Sequence, residues 1–455
     1  MTFNYSARLI LLAAMLGLAG CSSVSDTAAT LNPFRAQETD DPNAPAIDDR
    51  VSILSFEQSL QADPDAASQP VDLPTAYVNS IWAQPDGYPT HAMQHTQASG
   101  NLDILFRRSY GAGSDRSSRI NTRPIYADGR IYVMDAEARV YALDPETGSE
   151  IWERRIQSDS RNDRIGFGGG LAYDNGRLFV HTGRRFMAAL DATNGSEIWR
   201  ASSLTPFHSG PTAVNGTVFV STDDNELYAI DQASGDVIWN HQGISEPARL
   251  ITAPSAAVFG ETVVAPYASG ELTALRIQNG NPIWNDALTR SGGLTPISAI
   301  NDVAGSPVIV DDHVYAMSHS GILAAYDLRT GERNWTQPAG GLHAPWVAGN
   351  FLFLVTTDGE VVCVQRDDGT IRWIRQLATY QRAESRRERI AWAGPVLAGG
   401  RLFLASSGGD GVVLDATTGE IIREMNLRDP VYVAPIIVNE TIYIVTDEAR
   451  LIALR

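Results

Sequence analysis

The stretch Val140-Tyr141-Ala142-Leu143-Asp144-Pro145-Glu146-Thr147-Gly148-Ser149-Glu150-Ile151-Trp152 decides the fold. Its first residues have the apolar alternation of a strand with a buried face. Asp144 to Gly148 reads as a hairpin loop, in which glycine takes a positive φ that other residues resist. Ile151 and Trp152 open the returning strand, where the indole can cover a neighbouring repeat. The phrase recurs as Gly195…Trp199, Gly235…Trp239, Gly280…Trp284, Gly331…Trp335 and Gly369…Trp373. A seventh copy at Gly419 carries Arg423 where the others carry Trp. Copies are spaced from 38 residues (Gly331 to Gly369) to 51 (Gly280 to Gly331). Two further strands precede each phrase, as in Gly210-Pro211-Thr212-Ala213-Val214, Asn215-Gly216, Thr217-Val218-Phe219-Val220. Four strands per repeat of this length make one propeller blade.

The ends settle the count. Val433 to Leu454 holds three strands and no fourth, while Leu102-Asp103-Ile104-Leu105-Phe106-Arg107-Arg108 is a lone fourth strand with Phe106 in the Trp place. Joining them closes the ring and removes two open edges. The expectation is an all-β, eight-bladed β-propeller over residues 102–455, closed by the N- and C-terminal strands. Phe106, Trp152, Trp199, Trp239, Trp284, Trp335 and Trp373 are expected to be structural blade anchors rather than a ligand site.

Upstream of the ring the sequence changes character. Arg8 and the short apolar run Leu9 to Leu18 read as an export signal over residues 1–20, too short to span a bilayer. The run ends in Leu18-Ala19-Gly20-Cys21, which looks like a bacterial lipobox with Cys21 as the lipidated residue. Ser22 stands where an Asp would resemble an inner-membrane retention signal, which favours the outer membrane. Residues 21–75 are rich in Asp, Ala, Pro, Ser and Thr and read as a flexible tether. Residues 76–101 form an N-terminal extension expected to pack against the ring.

Composition excludes several chemistries. The 455 residues contain 35 basic side chains, all of them arginine, against 53 acidic ones, a formal charge of -18. Without lysine there is no P-loop or Schiff-base lysine. The acidic balance argues against a nucleic-acid partner. Of two cysteines, Cys21 is assigned to lipid, so Cys363 has no disulfide partner and, inside Val361-Val362-Cys363-Val364, reads as a buried thiol. His91 and His95 are spaced i, i+4 with no further ligand, so no metal site is expected. Gly166-Phe167-Gly168-Gly169-Gly170 precedes no helix and is not a phosphate loop; it reads as room for a strand entering a crowded blade. No catalytic group and no cofactor are expected.

The repeated Asp/Asn-x-x-Thr/Ser-Gly-x-x-x-Trp resembles the pyrroloquinoline-quinone-type propeller repeat, shared by quinoprotein dehydrogenases and by the BamB family of outer-membrane assembly lipoproteins. The chain resembles the second, most closely over Ile300–Val310 and Leu323–Gly331. The dehydrogenases typically carry adjacent cysteines beside the quinone, which this chain lacks. The resemblance implies a non-enzymatic, lipid-anchored, periplasm-facing scaffold. Its partners would be the barrel-inserting outer-membrane protein, through that protein's periplasmic domains, and unfolded outer-membrane protein strands added at blade edges. The alternatives are a quinone-dependent oxidoreductase subunit and a propeller that binds other periplasmic ligands. The family's binding arginine falls on Arg249, before Ala253-Pro254, but its apolar neighbours fall on Glu246 and Ala248. A second contact falls on Asp302, with Ala304 in place of a second Asp. Arg249 and Asp302 are therefore the expected partner-binding residues, each with a local structural role as the competing reading. The connections near 242–252, 286–304 and 377–393 share one face, where a propeller usually binds. The last holds Arg382, Arg386, Arg387 and Arg389 with Glu384 and Glu388 and is expected to be a solvated charge cluster, in a short helix or a salt-bridged loop.

Overall fold

The computed structural model describes residues 59–158, 169–289 and 300–455. The signal segment, Cys21, the expected tether before residue 59 and Gly166–Gly168 lie outside the described residues. The rest of the expected tether, 59–75, is not free but packs on the ring, with Asp63 N bonding Ile371 O at 3.0 Å and Arg372 Nη1 bonding Ala66 O at 2.7 Å. Eight four-stranded antiparallel sheets follow one another. The first blade is Ile125–Ala127, Arg130–Met134, Arg139–Leu143 and Glu150–Arg155. The next six open at Gly170, Thr212, Ala257, Val308, Trp346 and Trp392. The eighth takes Ile436–Val438, Thr441–Val445 and Arg450–Leu454 from the C-terminal end and Ile104–Ser109 from the other end of the ring. The eight-bladed propeller read from the repeat is the fold, terminal closure included.

The phrase works through three linked contacts. The Asp144 carboxylate accepts the Thr147 hydroxyl at 2.8 Å and the Thr147 and Glu146 N–H groups at 2.8 and 3.1 Å, and these bonds, the hydroxyl's first, hold it below the usual carboxylate range. Gly148 follows with φ +68°. The next strand pairs each anchor with a small residue: Trp152 with Ala142, Trp199 with Ala189, Trp239 with Ala229, Trp284 with Ala274, Trp335 with Ala325. In the sixth blade that small residue is Cys363, opposite Trp373. This position explains a fully buried cysteine whose thiol burial pushes well above its ordinary value.

Each anchor then caps the turn of the following blade. A methyl group on Gly195 would sit 2.8 Å from Trp152, on Gly235 2.8 Å from Trp199, and on Gly280 2.5 Å from Trp239. Gly331, Gly369 and Gly419 meet Trp284, Trp335 and Trp373 in the same way, and Gly148 meets Phe106. Five indoles also donate to a carbonyl of the turn they cover, among them Trp239 Nε1 to Ile277 O at 2.7 Å and Trp284 Nε1 to Leu328 O at 2.7 Å. Glycine is thus required twice, for its φ and for the ring lying on it.

Arg423 stands in the Trp register, paired with Val413. The blade it faces has no such turn, because its third and fourth strands come from opposite ends of the propeller sequence. They are joined by hydrogen bonds alone, Asp103 N to Arg455 O at 2.7 Å and Arg455 N to Asp103 O at 3.0 Å. Arg423 spans this joint, donating to Asn101 O at 2.8 Å and to Asp103 Oδ1 at 2.9 Å.

Residues 79–98 run through the centre and bond to the first strand or first turn of every blade. Trp82 exchanges two main-chain bonds with Tyr126, and Ala83 O accepts from Tyr173 N. The Gln84 amide exchanges bonds with Ala213 at 2.9 Å in both directions. Pro89 O and Thr90 O accept from Val258 N and Ile309 N. Gln94 accepts from Trp346 Nε1 and Gly349 N. Thr96 O accepts from Gly399 N, and Asn79 O from Asn439 N. Buried polar edges need partners, and this segment supplies them to all eight inner strands.

Candidate functional site: the loop face

The disc has two faces. The turn face carries, in each blade, the hairpins between the first and second and between the third and fourth strands. The opposite face carries the turns between second and third strands and the connections between blades, and here the surface is irregular. The fourth strand of blade two, Glu197–Ser202, leads into Leu204, which is 85% exposed. Blade three leads into Ile244 and Ile251, 63% and 57% exposed.

These aliphatic residues surround the turn at Asp223-Asp224-Asn225. Asp223 N bonds Pro206 O, and Asn225 Nδ2 bonds Ile244 O at 2.6 Å. Arg249 lies among them, with Nη1 3.4 Å from Asp223 Oδ1 and Nη2 3.1 Å from Glu246 O. His208 Nδ1 is also 3.4 Å from Asp223. Asp302 is buried and turned inward, accepting Leu250 N at 2.9 Å while its carbonyl accepts His319 N. Burial lifts its carboxyl above the ordinary value, against the Leu250 N–H and the nearby His208 and Arg249. Asp302 thus ties the blade four–five connection to the Arg249–Ile251 segment. The structure brings the two residues into one locality with different geometries: Arg249 at the surface edge, Asp302 beneath it. Leu204, Ile244 and Ile251 carry no motif, so only their exposure in three dimensions marks them. Leu250 and Ile251 follow the arginine on its other side.

The connection at 377–393 is an exposed, ion-paired charge cluster with a single 3-10 turn at Ala383–Ser385. It forms a two-stranded hairpin, Tyr380–Arg382 with Arg387–Arg389. Arg382 pairs with Glu388 at 3.0 Å and Arg389 with Asp358 at 2.6 Å. His91 and His95 each bond main chain, Nδ1 to Pro307 O and to Pro74 O respectively. Gly170 is crowded, with Pro211 Cδ 2.3 Å from the place of a side chain.

Among the described residues the propeller axis leaves no room for a cofactor the size of a quinone. Asp86 of the central segment pairs with Arg123, whose Nη1 reaches Ser306 Oγ at 3.2 Å. Arg123 enters blade one and Ser306 blade five, so this bond crosses the ring. The void beside His91, His343 and Trp346 measures about 30 Å³, room for about one water. A small-molecule site usually needs roughly 300 Å³ or more.

The family model of the outer membrane protein assembly factor BamB matches residues 157–375 and 380–455. The chain belongs to the BamB family. BamB of Xanthomonas campestris is 32% identical over 286 residues, 61% of this chain and 69% of the relative. BamB of Escherichia coli is 30% identical over 158 residues, 35% of this chain and 38% of the relative. The chain therefore spans less than half the length of several curated BamB relatives it matches. The crystal structure of BamB from Moraxella catarrhalis superposes with a TM-score of 0.66 at 19% identity, covering 78% of this chain and 99% of that one. A model of the glucose/ethanol/alcohol dehydrogenase β-propeller domain matches residues 106–198. The quinohemoprotein alcohol dehydrogenase of Comamonas testosteroni superposes with a TM-score of 0.64 at 13% identity, covering 87% of this chain and 82% of the enzyme. The propeller is common to both groups; the BamB model covers more of the chain.

Proposed function

We propose that this protein is a non-enzymatic scaffold of the outer-membrane barrel-assembly machinery, held at the periplasmic side of the outer membrane by lipid on Cys21. Its loop face would bind periplasmic domains of the barrel-inserting protein. The observation that carries this reading is the surface around Asp223–Asn225, where exposed Leu204, Ile244 and Ile251 border the semi-buried Arg249. An aliphatic cluster beside an arginine is the composition of an interface centre. Asp302 acts through Leu250, fixing the segment that presents Arg249. The blade rims offer a second surface: Leu105, Ile151, Ile198, Ile238, Ile283 and Ile422 are exposed on open fourth strands, where an unfolded barrel strand could add by main-chain pairing.

A pull-down of the tagged chain from detergent-solubilised membranes tests the reading. Recovery of the barrel-inserting protein is expected, and its absence contradicts the scaffold. Saturable binding of pyrroloquinoline quinone, or dye reduction after its addition with calcium, would favour an oxidoreductase instead.

A further inference from the structure

The hairpin at 380–389 breaks the rules of the fold around it. It pairs only with itself, as an isolated two-stranded sheet, an arrangement of marginal stability in water. Its base is fixed: Ile390 N bonds Thr379 O, Trp392 Nε1 bonds Ala378 O at 2.9 Å, and Arg389 reaches Thr357 O at 2.7 Å. Residues 381–389 are all exposed. Arg382 and Arg387 face each other in register, a like-charge pair that destabilises a hairpin. Arg386 and Glu388 hold φ of +48° and +59°, conformations that cost non-glycine residues about 1 kcal/mol or more. Glu388 neutralises Arg382 and Asp358 neutralises Arg389; with Glu384 also in the hairpin, the tip pair Arg386 and Arg387 leaves one positive charge in excess. Such a segment is not optimised for its own stability.

We infer that this hairpin is a docking element for an acidic protein segment. The guanidinium groups present planar forks suited to carboxylates, and they project from the same face as Arg249. On a chain of formal charge -18 an acidic segment is repelled elsewhere and directed here. One excess charge is too little for a lipid surface, where each contributes about 1 kcal/mol, so a protein carboxylate cluster is the favoured occupant. The inference stands on the hairpin alone, whether or not the scaffold reading holds.

The test uses a fluorescent octaglutamate peptide, the full mature chain and the R386E/R387E variant, with anisotropy read at low and high salt. The wild type is expected to bind the peptide at low salt and to lose it at high salt, and the variant to bind about tenfold more weakly or worse. An R386Q/R387Q variant should give an intermediate loss, and unchanged melting temperatures show that both variants fold. Vesicles containing an anionic phospholipid form the second arm and should bind both proteins equally. Equal peptide affinity of wild type and variant overturns the inference, as does loss of vesicle binding in the variant without loss of peptide binding. Purified periplasmic domains of the barrel-inserting protein form a third arm. If they bind neither protein while octaglutamate still distinguishes the two, the docking element stands and the scaffold reading falls.

Discussion

The two faces of the disc are built on different principles. On the turn face the same small set of contacts repeats around the ring: an aspartate-closed loop, a left-handed glycine and an aromatic ring from the preceding blade. On the loop face each connection has its own length, and exposed Leu204, Ile244 and Ile251 stand beside arginines. A repeated contact stabilises the ring through nearest-neighbour interfaces. An unrepeated one contributes little to the ring and is available for recognition. Substitutions on the turn face should therefore change stability, and those on the loop face should change binding.

The largest stability loss is expected from Trp284→Ala. The indole is buried, stacks on Tyr326 with ring centroids 5.8 Å apart and donates to Leu328. Removing it should cost about 3–5 kcal/mol, measured by denaturant unfolding. Gly280→Ala should cost about 2 kcal/mol or more, because the methyl group meets Trp239 at 2.5 Å on a backbone of φ +69°. A neutral result there would break the claim that the ring lies on the glycine.

His181 tests the core independently of either face. Burial pushes its imidazole down to about 4, and a ring nitrogen bonds Ser209 O at 2.6 Å. The unfolded chain takes up this proton below about pH 6.5 and the folded chain only below about 4. Stability should therefore fall between pH 6.5 and 4 by a few kcal/mol, and His181→Gln should flatten that slope in a series of thermal melts. The smallest effect belongs to the closing joint. Arg423 and Asp103 are 40% and 64% exposed, so Arg423→Ala should cost about 1 kcal/mol or less. Arg423→Trp should bring no gain, because no glycine turn lies opposite; a gain of more than about 1 kcal/mol would contradict the account of the joint.

The same division explains what the sequence revealed. Blade number, anchors and closure could be read because one phrase recurs with constant Gly-to-Trp spacing. Arg423 read as a lapse of the repeat until its setting, the joint between the first and last strands of the ring, showed why a tryptophan has nothing to cover. The role of residues 79–98 was not legible, since a segment that visits eight different strands has no period of its own. Arg249 and Asp302 were reached through resemblance, but that Asp302 points inward and that the aliphatic surface comes from separate connections are facts of three dimensions. The 380–389 hairpin was hidden because its charges matched a solvated loop equally well.

The separation of the faces is tested most directly by site-specific photo-crosslinking in cells. A photoreactive residue is placed at Leu204 or Ile251 on one face, and at Thr147 or Thr417 on the other. The account predicts adducts with the barrel-inserting protein from Leu204 and Ile251 and none from Thr147 or Thr417. Adducts from the turn-face positions, or from none of the four, would contradict it.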